Sequence, residues 1–360
     1  FAAALAWLTS LGMLEKGRMI EIEAVYVACF AGALISWLVL SANERSRWLT
    51  WIVPSIFLGL GMLAKGPAFL VFFYGIVASI LWQQGKLRQL VTFPHLAGIL
   101  VMLGIFAAWA YPYSLVVRGA QASRTWSGEV ASRFTGEEIT LGDWLLNFPL
   151  GLAYFLPFGL LLPFLRFDKL PPPEQPLARG LFWGAALPFC VVLLLPGALP
   201  RYILPALVPA CWLFGMAIRA NSFAWQLPLQ RDPMTVPPRL VWAVAIVVAL
   251  AGMIAFPLRS ATVLREKSIF RAEAARVNAI VPADETLYAV DPRFQPYLLY
   301  IAARVRYLPM LAELPPDARY FVVHPDHRDA VSALPTKPRL LLRTNRFRGR
   351  ETLLFTTVAP

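Results

Sequence analysis

Four clusters of charged side chains sit between long apolar runs, and their types suit binding a phosphate and activating a hydroxyl. The first is Glu15-Lys16-Gly17-Arg18-Met19-Ile20-Glu21-Ile22-Glu23, two cations among carboxylates at the start of an apolar stretch. The second is a lone cation, Lys65, in Gly61-Met62-Leu63-Ala64-Lys65-Gly66-Pro67. The third follows Trp109-Ala110-Tyr111-Pro112-Tyr113 and holds Arg118, Arg124, Glu129, Arg133 and Phe134. The fourth is Pro196-Gly197-Ala198-Leu199-Pro200-Arg201-Tyr202-Ile203-Leu204-Pro205. An arginine grips a phosphate through two donors and a tyrosine adds a third. A lysine ahead of a helix N-terminus adds its charge to backbone N–H groups that already favour anions. Glu21 and Glu23, with the two cations, could bind a polar substrate and polarise it. Two apart on a helix, they point to different sides, so at most one faces a given cleft.

The elements that must position these groups are membrane spans. Of 360 residues, 58% are hydrophobic and 15% charged, with mean hydropathy +0.59. Soluble domains carry about 25% charged residues. As one helix, Trp48–Trp82 would be roughly 52 Å long against a hydrocarbon core of about 30 Å, so the chain turns near Lys65, where Gly66-Pro67 breaks it. Apolar runs of spanning length fall at about 22–42, 92–114, 144–165, 181–196, 202–219 and 239–258. With the short pair around Lys65 this makes about eight full spans, plus a partial first one at 1–13 that reads as a truncated helix. Short loops rich in Lys and Arg (Arg45, Arg47; Lys86, Arg88; Arg166, Lys169, Arg179; Arg219, Arg231, Arg239) fall on one side by strict alternation, assigned to the cytoplasm. All four clusters then lie on the other side, with everything after Leu258. Residues 1–258 read as a membrane bundle and 259–360 as a small extracytoplasmic α/β domain. There Thr286–Val290, Arg319–Val323, Arg339–Arg343 and Thr352–Thr357 are expected strands, and Arg271–Ile280 and Phe294–Ala302 expected helices.

Other classes are disfavoured. A formal charge of +12 suggests nucleic acid in a soluble protein, but here the arginines flank apolar runs, which suits anionic lipid and lipid-linked phosphate instead. No long span carries an ionisable residue near its centre, as an ion-coupled transporter needs. Cys29, Cys190 and Cys211 lie scattered in apolar segments and read as small buried thiols. His95, His324 and His327 form no catalytic pair in the bundle, and His324-Pro325-Asp326-His327 reads as a solvated turn rather than a metal site. Leu170-Pro-Pro-Pro-Glu-Gln-Pro176 reads as a spacer.

Gly59-Leu60-Gly61-Met62-Leu63-Ala64-Lys65-Gly66-Pro67, Glu129 to Arg133-Phe134, and Leu199-Pro200-Arg201-Tyr202-Ile203-Leu204-Pro205 resemble, in order and spacing over about residues 10–220, the polyprenyl-phosphate-sugar-dependent glycosyltransferases of the protein mannosyltransferase and lipid A aminoarabinose transferase type (family 39-like). Arg18-Met19-Ile20-Glu21-Ile22-Glu23-Ala24 resembles a further family stretch in which an acidic residue opens a helix. The resemblance implies a GT-C membrane fold and transfer of a sugar from a polyprenyl-phosphate donor to a hydroxyl of a lipid or protein acceptor, at the periplasmic face of a bacterial inner membrane. It implies no cofactor, no metal and no nucleic-acid partner. By resemblance, Lys65 and Tyr202 hold the donor phosphate with Arg133 and Arg201; Lys16, Arg18 and Glu129 contact substrate; and Glu21 or Glu23 is the candidate general base that deprotonates the acceptor hydroxyl. The family's usual catalytic Asp is expected upstream of Phe1, Val130 stands where the family often has His, and Gly197 or Ala198 stands where it usually has Lys. A flippase of lipid-linked saccharide, or a non-catalytic membrane assembly protein, is the alternative.

Overall fold

Glycine and proline decide where the apolar runs bend, and small residues decide how closely they pack. The computed structural model describes residues 1–17, 22–116, 140–223, 238–292, 295–344 and 351–358. The chain divides into two compact units, Phe1–Phe256 and Pro257–Pro360.

The first unit is helical. Its helices are α1 (Ala2–Thr9), α2 (Ile22–Ala42), α3 (Arg47–Lys65), α4 (Phe69–Gln83), α5 (Phe93–Val116), α6 (Leu141–Ala153), α7 (Gln175–Leu194) and α8 (Leu207–Arg219). Then α9 runs Pro238–Asn278, so that the expected span at 239–258 and the expected helix at Arg271–Ile280 form one helix, with the unit boundary inside it. Among the described residues five helices are long and apolar enough to cross a membrane, or six if a bent pair counts as one span. The protein is a multi-pass membrane protein with a mainly helical bundle and a small sheet domain. Two of the expected spans take other forms. The helix α4 has 15 residues, about 22 Å, shorter than a bilayer core. The run 144–165 breaks after Ala153 and resumes as a 3₁₀ segment, Phe158–Phe164, at 91° to the helix before it.

That break is satisfied by another. Pro157 has no N–H to continue the ladder, and the freed carbonyls of Tyr154 and Leu156 accept from Gly12 N at 3.0 Å and Leu11 N at 2.8 Å. Leu11 and Gly12 lie just beyond the end of α1, which stops at Thr9. Irregular backbone at membrane depth persists only where such partners exist.

Close packing rests on glycines. Gly180 and Gly184, four apart on α7, turn one face to α4. A Cβ at Gly180 would lie 2.6 Å from Ile80 Cα, and one at Gly184 only 2.4 Å from Ile76 Cα. In return Gly75 of α4 admits the ring of Pro188. With no hydrophobic drive between helices in lipid, such small-residue seams are where helices associate. Further along the bundle His95 is buried against Trp51. Its Nδ1 lies 2.6 Å from the Leu90 carbonyl and its Nε2 3.3 Å from the Tyr74 hydroxyl, a structural role. Cys211 is buried as expected, but Cys190 is exposed on α7.

The second unit holds a five-stranded sheet in the order β2-β1-β3-β5-β4. The strands are β1 (Thr286–Val290), β2 (Arg304–Leu308), β3 (Tyr320–Val323), β4 (Arg339–Arg343) and β5 (Leu353–Thr356), with a short helix α10 (Arg328–Ser332) after β3. β1 pairs in parallel with β2 and β3, while β5 runs antiparallel to β3 and β4. Side chains alternate between faces. Leu287, Ala289, Val322 and Leu354 pack on Ala274, Val277 and Val281. Val290, Phe321, Val323 and Phe355 form the opposite core with Val331. The edge strand β2 was not expected, and the expected helix at Phe294–Ala302 is a short 3₁₀ turn, Pro296–Tyr300.

Replacing Gly184 by Leu should force α4 and α7 apart and lower stability by about 1–3 kcal/mol, read as reversible unfolding of the purified protein in mixed micelles. Gly104→Leu is the control and should leave the transition within error, because a Cβ at Gly104 meets nothing within 4 Å.

Candidate functional site

The loop between α2 and α3 is short, so the N-terminus of α2 and the C-terminus of α3 lie at the same end of the bundle. Each helix end carries the charge its dipole favours: Glu23 in the first turn of α2 and Lys65 as the last residue of α3. The two meet. Lys65 Nζ donates to Glu23 Oε1 at 2.7 Å. A third segment arrives from far along the chain, the 3₁₀ stretch Pro200–Ala206. Its Arg201 brings Nε to 3.0 Å from the same oxygen, Glu23 Oε1. The Glu23 side chain is only 5% exposed, Lys65 18% and Arg201 40%.

Two aromatic rings flank the lysine. The Lys65 ammonium lies 4.7 Å from the centroid of Tyr202 and 5.5 Å from that of Tyr26, close enough for both faces to attract it. Tyr26 is buried and packs edge-on against Phe69, with centroids 5.0 Å apart. It shares a helix face with Glu23 three residues earlier.

Backbone features aim these groups. Gly66 ends α3 with φ 91° and ψ −171°, a conformation essentially reserved for glycine. Its N–H closes on the Met62 carbonyl at 2.9 Å. Phe69 then docks against Gly61, where a Cβ would come within 2.7 Å of its ring. On the other side, the buried Asn147 of α6 donates through Nδ2 to the Ala198 carbonyl at 2.8 Å, fastening the turn just ahead of Arg201.

Of the residues singled out in the sequence, Glu23, Lys65, Arg201 and Tyr202 come together here. Lys16 lies in a π-helical turn, Met13–Gly17, with its ammonium 3.5 Å from Glu15. Arg18, Glu21, Glu129 and Arg133 lie outside the described residues. Tyr26 and Asn147 were missed; the Glu23–Tyr26 spacing, and a lone amide in an apolar run, were the available signals. In the second unit His327 Nε2 lies 3.2 Å from Asp291 and His324 Nδ1 3.0 Å from Asp326. Among the described residues no group of three or more His, Cys, Asp or Glu is arranged to hold a metal.

Chemically the arrangement is an anion site with its own anion in place. One carboxylate holds two cations at a membrane boundary, and a second anion could engage the cations from their exposed side.

Parts of the chain resemble known proteins. Residues 1–111 match the family model of dolichyl-phosphate-mannose-protein mannosyltransferase. An undecaprenyl phosphate-alpha-4-amino-4-deoxy-L-arabinose arabinosyl transferase of Pseudomonas paraeruginosa is 31% identical over 191 residues, which cover 51% of this chain and 33% of that protein. One from Pseudomonas aeruginosa UCBPP-PA14 is 30% identical over 192 residues, again 51% and 33%. The match thus spans about a third of the length of these curated relatives. The crystal structure of ArnT from Cupriavidus metallidurans in the apo state superposes with TM-score 0.59 at 16% identity, covering 99% of this chain and 79% of that one. The same protein bound to undecaprenyl phosphate gives TM-score 0.53 at 15% identity, covering 99% and 84%. This chain is similar to the ArnT and protein mannosyltransferase type over part of its length. Its fold is the GT-C fold of ArnT, and the segments carrying Glu23 and Lys65 lie within the stretch matched by the mannosyltransferase family.

In this ArnT-type bundle, removing one partner of the clasp should cost more than removing two. Lys65→Met strands a buried carboxylate with one cation and should destabilise by about 3 kcal/mol. Adding Glu23→Gln should recover at least half of that loss, a coupling read from a double-mutant cycle of unfolding in micelles.

Proposed function

We propose that this protein is a membrane glycosyltransferase that moves a sugar from a polyprenyl-phosphate donor to a hydroxyl on a lipid or protein acceptor. The observation that carries this reading is the convergence of Lys65 and Arg201, from separate hairpins, on one end of the bundle. As the bond from sugar to phosphate breaks, negative charge grows on the leaving oxygen. Fixed cations there stabilise the transition state more than the ground state. Arg201 offers the fork of its guanidinium, and the Tyr202 and Tyr26 rings hold the Lys65 ammonium in place.

Geometry also divides the two carboxylates considered as base. In an inverting transfer the attacking hydroxyl and its base stand on the face of the sugar opposite the leaving group. Glu23 touches the cations that would grip the leaving phosphate, so we assign it to the phosphate side and not to the acceptor. Glu21 stays a candidate base. Arg133 is assigned to the donor phosphate by family resemblance, and Arg18, Lys16 and Glu129 to substrate contacts. The relatives' names suggest an undecaprenyl-phosphate-linked aminopentose as the donor to try first. The basic loops favour an inner-membrane protein with the site and the C-terminal unit facing the periplasm. No metal or other cofactor enters the proposed reaction.

Transfer from radiolabelled polyprenyl-phosphate sugars, in vesicles containing the protein, tests the reading. Lys65→Met and Arg201→Met should each lower turnover at least a hundredfold while membrane insertion stays normal. Wild-type turnover in both variants would overturn it.

A further inference from the structure

Arg201 enters the site on a segment with little freedom of its own. Leu199 is extended, with φ −113° and ψ 148°, as residues ahead of a proline are, and Pro200 locks its own φ. A short, stiff strut thus joins the Ala198 carbonyl to Arg201, and whatever fixes one end sets the other. The side chain beyond the strut is tied as well, because its Nε lies 3.0 Å from Glu23 Oε1. A shift of the strut therefore either drags the guanidinium with it or breaks that contact.

Helix α6 holds the strut. Asn147 is an amide within the apolar run Leu145-Leu146-Asn147-Phe148-Pro149-Leu150 and is 5% exposed. Its Nδ2 donates to the Ala198 carbonyl at 2.8 Å, across 51 residues of chain. Such surroundings tolerate a buried amide only when it is hydrogen-bonded, so the bond is as much a demand of α6 as of the turn. Gly151, four residues on and on the same helix face, meets the far side of the same segment. A Cβ there would come within 3.6 Å of Ile203 Cγ1 and 3.2 Å of Leu193 Cδ1. In sequence, Arg201 and Tyr202 fall between the Ala198 and Ile203 contacts. Just beyond its end α6 is pinned in turn, where the carbonyls of Tyr154 and Leu156 accept from Gly12 and Leu11.

We propose that Asn147 is a positioning residue of the phosphate site, acting through the strut from Ala198 to Pro200 to hold the Arg201 guanidinium where it meets the phosphate. The inference rests on the reading of Arg201 as a phosphate cation given above. Asn147 acts at one remove: its amide touches a carbonyl, and the carbonyl's chain carries the charge. The guanidinium fork is demanding about direction, and a misplacement of about 1 Å at a reacting centre costs up to about a hundredfold in rate. An interaction that matters most in the transition state appears in kcat rather than in KM, so the loss of Asn147 falls on kcat.

The test is a double-mutant cycle in turnover, measured with radiolabelled polyprenyl-phosphate sugar in vesicles containing the whole protein. The four proteins are the wild type, Asn147→Leu, Arg201→Met and the pair together. Asn147→Leu removes the donor at similar volume and should lower kcat about tenfold or more, with KM for the donor nearly unchanged. In the Arg201→Met background the same change should cost no more than about twofold, because two residues that act through one contact are not additive. Asn147→Gln, which keeps the amide but displaces it by a methylene, should show the same dependence on Arg201 and serves as the second variant if Asn147→Leu fails to insert. Equal losses from the Asn147 change in both backgrounds would make the residue a general prop of the fold and overturn the inference alone. So would wild-type kcat in Asn147→Leu. Wild-type turnover in Arg201→Met would overturn the reading of Arg201, and this inference with it.

Discussion

A single carboxylate oxygen shared by a lysine and an arginine ties together three parts of the chain that are remote in sequence. Glu23 is nearly buried at the head of one helix, and a buried charge is tolerated only when it is paired. One cation of the two sits at the foot of α3 and the other in the 3₁₀ stretch ahead of α8. Moving any of these segments by more than an ångström or so would leave a charge stranded in a medium that solvates it poorly. The requirement therefore acts as a register constraint on the end of the bundle. Among the described residues it is met without a charge in the middle of a long span, which keeps the cost of desolvation at the boundary, where it is least.

Several features near the clasp fix the positions of those three groups. Gly66 allows α3 to stop and reverse within two residues, so that Lys65 stays on the last turn while Phe69 is already buried. Asn147 holds the turn before Arg201 by its carbonyl, a constraint the apolar surroundings make worth more than it would be in water. Deeper in the bundle, the break at Tyr154–Pro157 and the break after α1 supply each other's missing hydrogen bonds. The Gly180–Gly184 seam lets α4 and α7 lie backbone against backbone. Departures from regular helix recur here wherever two segments must come closer, or turn more sharply, than a straight apolar helix permits.

The turn at Lys65 was legible in the sequence because a length argument forces it: no bilayer accommodates Trp48–Trp82 as one helix. The strands of the C-terminal unit were legible where apolar residues run together or alternate cleanly, as in Thr286–Val290 and Arg339–Arg343. β2 was hidden because its arginines, Arg304 and Arg306, make an edge strand look like a solvated loop. The 91° bend within 144–165 was hidden for the opposite reason. Both sides of the break are apolar, so hydropathy reads straight through it, and Pro157 alone does not distinguish a kink from a stop. At the site, the charged residues were recognisable as a set, but their pairing was not. Opposite charges at positions 23, 65 and 201 permit a contact without requiring one, and only the tertiary arrangement brings Glu23 onto both Lys65 and Arg201. Tyr26 and Asn147 carry no charge and match no motif; only a three-residue step from Glu23 and a lone amide in an apolar run set them apart from the core.

The most direct measurement of this account is a cryo-electron microscopy structure of the protein in a lipid nanodisc with polyprenyl phosphate bound. The account places the phosphate within hydrogen-bonding distance of both the Lys65 ammonium and the Arg201 guanidinium, with Glu23 still in contact with the pair. Phosphate density at the opposite end of the bundle, or a Lys65 and an Arg201 that part company when the lipid binds, would contradict it.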